Sequence, residues 1–112
     1  MEHYVLIYEV VDNFVERRTP HRGEHLRLVR DAHERGELLL AGALGDPVDR
    51  ALLVFRAGRG TAEAFARDDP YVRSGLVRRW EVQPWAVVVG PGVGGHEASG
   101  PGSGRPSAGG PL

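Results

Sequence analysis

Two short stretches carry the residues best suited to chemistry: Arg22-Gly23-Glu24-His25-Leu26, and further along the chain Asp68-Asp69-Pro70-Tyr71. At about 100° per residue on a helix, His25 falls within a stripe formed by Leu26, Leu28, Val29 and Ala32, while Glu24, Arg27, Arg30, Asp31 and Glu34 point the other way. On a second helix Asp69 lies about 20° from Ala62 and about 40° from Phe65, unlike Glu63 and Arg67. An imidazole and a carboxylate are therefore both aimed at a core. Either group buried alone would be costly, and each can serve as the other's hydrogen-bonding partner. Asp69 would accept one ring N–H and hold the tautomer, leaving the second nitrogen to take or give a proton on a small substrate. The competing reading of His25 is a core imidazole satisfied by a backbone carbonyl, because inward-pointing ionisable groups occur structurally as well as at sites.

Other side chains can be weighed against this pair. Arg22 projects on the same side as His25 and could hold a substrate carboxylate or phenolate through paired donors, or pair with a carboxylate at the helix start. Ser74, the one serine before the C-terminal stretch, is a candidate substrate contact that invites a Ser-His-Asp triad. It lacks a G-x-S-x-G elbow, however, and loop serines usually cap turns. Asp68 sits on the helix flank and reads as solvated. Tyr4, Tyr8, Trp80 and Trp85 suit either an aromatic pocket or packing in a core or dimer. His21 and His25 have i, i+4 spacing and, with Asp69, suggest a metal. That motif is short, and His21 lies in the first turn where exposure is expected, so no metal and no cofactor are assigned. His33 reads as amphipathic filler and His96 as incidental.

Composition narrows the options. The 112 residues carry a net charge of -1 with no lysine and no cysteine, which removes Schiff-base, thiolate and disulfide chemistry. Arginines alternate with carboxylates instead of clustering, so neither nucleic acid nor an anionic membrane is an expected partner. No apolar run approaches the length of about 18 residues that a membrane span needs, and no signal-peptide pattern opens the chain. A soluble cytoplasmic protein is the expectation.

The order of elements follows from periodicity and from Gly and Pro. Residues 3–11 (HYVLIYEVV) read as a central strand, apolar on both faces. After a polar connection over 12–18, Thr19 and Pro20 suit the N-cap and first position of a helix reaching about Arg35. Gly36 ends that helix, and residues 37–44 read as a second strand with a bulge or close approach at Gly42. A turn at 45–49 leads to strand 51–56. Gly58 to Gly60 break it, and Thr61 caps a helix of about two and a half turns that Pro70 stops after Asp69. A loop at 71–75 precedes a last strand over 76–89, in which Pro84 marks an irregularity or an edge. Residues 1–89 thus form one domain and 90–112, rich in Gly, Pro and Ser, a disordered tail. The resulting β-α-β-β-α-β order is that of an α+β, ferredoxin-like unit: a four-stranded antiparallel sheet with both helices on one face. Two helices cover one sheet face only, so the apolar second face of the first strand calls for a second copy packed sheet to sheet.

With those residues placed, the chain resembles the YciI (YCII-related) family. The likeness runs from about Tyr4 to Val88 and rests on Arg22-x-x-His25-Leu26, the Gly36-to-Gly42 run, Asp69-Pro70-Tyr71 followed by Gly75, and Pro84-Trp85. It departs at Ala43-Leu44, where a Gly-Pro pair commonly follows the second strand, and after Gly90. The resemblance implies a dimeric α+β barrel of ferredoxin-like subunits and a catalytic dyad of His25 and Asp69. A related member is a dehydrochlorinase acting on a chlorinated hydroxyquinol, and others in the wider superfamily isomerise or oxidise small aromatics. The expected activity is therefore acid-base chemistry (elimination, isomerisation or hydrolysis) on a small aromatic or lactone-like compound. The alternative is a non-catalytic ligand-binding or accessory homodimer in which the pair is structural.

Overall fold

The structure is a computed structural model and describes residues 2–90. The tail expected from Gly90 onward, His96 included, lies outside the described residues apart from Gly90 itself. Four strands, β1 (His3–Val10), β2 (Leu38–Leu44), β3 (Arg50–Phe55) and β4 (Val77–Trp85), form one antiparallel sheet in the order β2-β3-β1-β4. β1 is interior, as its apolar run requires. Pro84 sits on the edge strand β4, where a missing N–H interrupts no second ladder.

The alternation of β1 decides what faces the helices. Leu6 and Tyr8 have no exposure and Val10 is buried, whereas Val5 and Ile7 are half-buried on the other side. Leu53 and Val82 flank Leu6, and Ala51 and Trp80 flank Tyr8. Against this face pack α2 (Arg22–Glu34), through His25 and Ala32, and α3 (Arg59–Asp68), through Ala62, Phe65 and Ala66. The α+β ferredoxin-like reading therefore holds for the chain. No helix among the described residues is long and apolar enough to cross a membrane.

Several local expectations are corrected. The connection over 12–18 is not merely polar. It holds a one-turn helix α1 (Phe14–Arg17) that buries Phe14 and is followed by a buried Arg18. Thr19 and Pro20 do not cap α2 but belong to a 3-10 turn, Thr19–His21, that leads into it, so α2 starts at Arg22 with no side-chain cap. Thr61 is likewise no cap, because α3 begins at Arg59 behind Gly58. Residues Pro70–Arg73 form a short helix, α4, in place of a loop. The sheet irregularity in β2 falls between Leu38 and Leu40 instead of at Gly42. β4 ends at Trp85, short of Val89.

The two helix ends that matter for the site are closed by glycine. Gly36 (φ 81°) donates to the His33 carbonyl, and the next N–H, Glu37, reaches Ala32. Gly75 (φ 84°) repeats the pattern, with its own N–H on Val72 and the Leu76 N–H on Tyr71. Both are Schellman closures that need a left-handed residue. His33 is more than filler, since its Nδ1 lies 2.7 Å from the Leu38 carbonyl and joins the end of α2 to β2.

Phe55 is fully buried and meets Phe65 edge-on, with ring centroids 5.5 Å apart. Phe55→Ala should therefore lower the unfolding free energy by about 3–5 kcal/mol, read from urea titration. A loss below about 1 kcal/mol would contradict this core.

Candidate active site

Asp69 occupies a junction set up by its own sequence. The proline after it disfavours the helical region, and Asp69 is extended (φ -69°, ψ 123°), which stops α3. The same geometry makes it the N-cap of α4, with Pro70 at the first position and the Tyr71 N–H donating to Oδ1 at 3.0 Å. Its side chain is thereby turned inward beneath α2.

There His25 meets it. The His25 Nδ1 lies 2.9 Å from Oδ1 and 3.0 Å from Oδ2, and both side chains have zero exposure. A carboxylate only accepts, so Nδ1 carries the hydrogen and Nε2 is left for other work. Tyr8, from the central strand, donates to Oδ2 at 2.7 Å. Donors from β1, α2 and α4 thus converge on one carboxylate. The His25 ring is further held by stacking on Tyr71, with centroids 3.9 Å apart and planes 11° from parallel. Tyr71 in turn meets Phe14 edge-on at 5.3 Å.

Electrostatics follow the packing. Burial first, then the charge of Asp69 and the bond to it, push the Tyr8 phenol far above its ordinary value. Burial likewise raises Tyr71 to about 12, opposed by the charges of Arg18 and Arg22. Arg18 is drawn below the usual guanidinium range by burial and then by Arg22.

The structure thus brings His25 and Asp69 together. It places Arg22 half-buried one turn before His25 on α2. Ser74 is exposed at the end of α4, its Oγ donating to the Tyr71 carbonyl at 3.4 Å, which is a turn-capping contact. His21 is half-buried before α2, and no group of three or more potential ligands placed to hold a metal occurs among the described residues. Asp68 is exposed. Of the aromatic residues considered for a pocket, Tyr8 alone reaches the dyad. Tyr4 lies under Arg59, Trp80 under Arg67, and Trp85 is half exposed.

Sequence reasoning left four surrounding side chains, Tyr8, Tyr71, Arg18 and Phe14, unconnected to the pair. Tyr8 shares the inward face of β1 with Leu6, and a phenol so placed needs a hydrogen-bond partner, a signal that was present. Tyr71 was legible as the second helical residue of an Asp-Pro start. Arg18 and Phe14 were hidden in a short connection of mixed polarity.

The described clefts lie elsewhere. One of about 340 Å³ at the end of the sheet is lined by His3, Tyr4, Pro84 and Trp85. Another of about 330 Å³ lies between α2 and α3 and is lined by Leu28, Phe55, Phe65 and Asp68. The dyad itself has no accessible surface in the single chain.

Comparison with known proteins matches this architecture. The family model for the YCII-related domain covers residues 1–86. The chain belongs to the YCII-related family. Among solved structures it is similar to 5-chloro-2-hydroxyhydroquinone dehydrochlorinase from Burkholderia phenoliruptrix, in complex with 2,5-dihydroxybenzoquinone. The TM-score is 0.61 at 15% identity, over 74% of this chain and 92% of that one, a likeness of fold. No curated protein matches.

The chain contains no lysine, so its tyrosines are the side chains that titrate from about pH 9 to about pH 12. Tyr8 and Tyr71 keep protons when folded that the unfolded chain releases from about pH 10. Their contribution to stability is complete below that pH and is lost as pH rises toward the folded values, at up to about 1.4 kcal/mol per pH unit for each tyrosine. Urea unfolding should show that decline between about pH 10 and about pH 11.5, and Tyr8→Phe should make it roughly half as steep. At neutral pH Tyr8→Phe should cost about 1–3 kcal/mol by leaving a buried acceptor short of a donor. An unaltered alkaline slope in Tyr8→Phe would rule out the bond to Asp69.

Proposed function

We propose that this YCII-related protein is a small-molecule enzyme in which His25 Nε2 performs general acid-base chemistry and Asp69 fixes the ring. The observation that carries the reading is the asymmetry of the imidazole. Nδ1 is held by Asp69, while Nε2 is buried with no hydrogen-bond partner among the described residues. A histidine serving the core alone would satisfy both nitrogens or expose one. With Nδ1–H donated to a carboxylate, the Nε2 lone pair is oriented toward a substrate proton, a device that contributes about 10²- to 10⁴-fold where the geometry fits. Tyr8 and Tyr71 hold Asp69 and the ring plane, so the base is preorganised. His25 has no exposure in the single chain, so access to Nε2 requires neighbouring side chains to move. The reaction class that suits one proton-transferring imidazole is elimination, isomerisation or hydrolysis. The fold shared with a dehydrochlorinase solved in complex with 2,5-dihydroxybenzoquinone supports small hydroxylated aromatics, and lactones beside them, as the compounds to test.

One observation favours a structural or ligand-binding role instead: the complete burial of both dyad side chains. The two readings diverge in a turnover screen of phenolic and lactone compounds. Catalysis predicts a compound whose turnover falls by at least about 10²-fold in both His25→Ala and Asp69→Asn, while the soluble variants keep the wild-type circular dichroism. Turnover that survives His25→Ala would end the catalytic reading.

The same proposal includes a cytoplasmic homodimer joined through the sheet. Val5, Ile7 and Leu52 are half-buried on the face away from the helices, and Leu40 beside them is 65% exposed. Such a contiguous apolar face suits burial against its own copy. Light scattering should return twice the chain mass, 24.4 kDa from two chains of 12.2 kDa each, and Leu52→Glu should shift the protein toward monomer. A wild-type monomer at micromolar concentration would refute it.

A further inference from the structure

The distances around Asp69 show how one carboxylate is divided among three donors. Oδ2 takes the Tyr8 hydroxyl at 2.7 Å, a length proper to a phenol on a charged carboxylate, and Oδ1 takes the Tyr71 backbone N–H at 3.0 Å. The His25 Nδ1 lies between the two oxygens, 2.9 Å from Oδ1 and 3.0 Å from Oδ2. Each oxygen therefore has a donor of its own, and the imidazole shares both.

Tyr8 is held in this arrangement by the sheet. Its side chain has no exposure, it stands opposite Ala51 and Trp80 of the neighbouring strands, and a buried phenol needs an acceptor. Burial and the charge of Asp69 keep its proton in place far beyond the ordinary phenol range, so it donates throughout neutral pH. A carboxylate facing an imidazole out of water favours the doubly protonated ring, which can give a proton and cannot accept one. Every other hydrogen bond to that carboxylate stabilises its charge without the ring and weakens the pull. The Tyr71 N–H comes with the N-cap and would be supplied by any residue but proline. The phenol is the donor that a particular side chain adds. The other ionisable groups about the ring are Tyr71 from α4, whose hydroxyl feels Arg18, Arg22 and Asp69, and Arg22 itself, one turn before His25 on α2. Their charges bear on the ring whether or not Tyr8 donates.

We infer that Tyr8 is a positioning residue of this site: by sharing Asp69 with His25 it limits how much of the imidazole is doubly protonated near neutral pH, and so keeps the Nε2 lone pair available. This rests on the catalytic reading above and adds to it what sets the resting state of the base. Tyr8 acts through Asp69 and touches no reacting atom.

The test is nitrogen-15 NMR of the full chain with labelled histidine, in which the Nε2 signal reports the ratio of doubly to singly protonated ring without substrate. The His25 signal is the one of five that His25→Ala removes. Tyr8→Phe should raise that ratio at neutral pH by at least about threefold, and Asp69→Asn, which removes the charge, should lower it. Tyr71→Phe, which removes a hydroxyl of the same cluster that does not bond Asp69, should leave it unchanged. Where Tyr8→Phe folds poorly, 3-fluorotyrosine at the three tyrosines of the otherwise unaltered chain makes the phenol a stronger donor and should lower the ratio. A ratio indifferent to Tyr8→Phe or to the fluorinated phenol, or moved as far by Tyr71→Phe, would overturn the role of Tyr8. An unmoved ratio beside a compound turned over through His25 removes Tyr8 from the mechanism and keeps the enzyme. A responsive ratio in a protein that turns over no compound keeps the shared carboxylate and removes the enzyme.

Discussion

The structure turns on one buried carboxylate. Asp69 has no exposure, and a carboxylate taken out of water must be matched by donors or it destabilises the fold by several kcal/mol. Its donors come from three places in the chain: a tyrosine hydroxyl on the central strand, a histidine ring on the first long helix and the backbone N–H of its own cap. Each is consequently constrained by the others, and the sheet, α2 and the α3–α4 corner share a single register. Breaking this node would loosen three elements at once, because each lone donor would be left buried as well.

The same node explains why one nitrogen of the imidazole is fixed while the other has no hydrogen-bond partner among the described residues. Asp69 holds Nδ1, stacking on Tyr71 holds the ring plane, and polar atoms on Arg22, Tyr71 and His25 lie buried without a hydrogen-bond partner among the described residues. Buried polar groups of this kind are ordinarily paired.

The sheet divides the chain's apolar surface unequally. The helix-covered face closes over Leu6, Tyr8, Leu53 and Phe55, while Val5, Ile7 and Leu52 on the other face are only half-buried by their neighbours. The edge strands differ too: β4 carries Pro84 and paired charges such as Arg79 with Glu9, whereas β2 presents Leu40 and Leu44. These features place the candidate site on the helix side and the open apolar surface on the other.

Sequence by itself determined the order of strands and long helices, the inward aim of His25 and Asp69, and the break at Pro70. These depend on side-chain period, glycine and proline, which act over a few residues. It left α1, the 3-10 turn and α4 unread, because one-turn helices carry too few residues to show a period and are held by their surroundings. Only the tertiary structure decided that Tyr8 completes the Asp69 node from 61 residues away, that Ser74 caps a turn, and that Arg18 lies buried over the Phe14 ring. Periodicity tells which way a side chain points from its own element. Which partner it finds there depends on how separate elements are set against each other, and that is fixed by packing across the whole core.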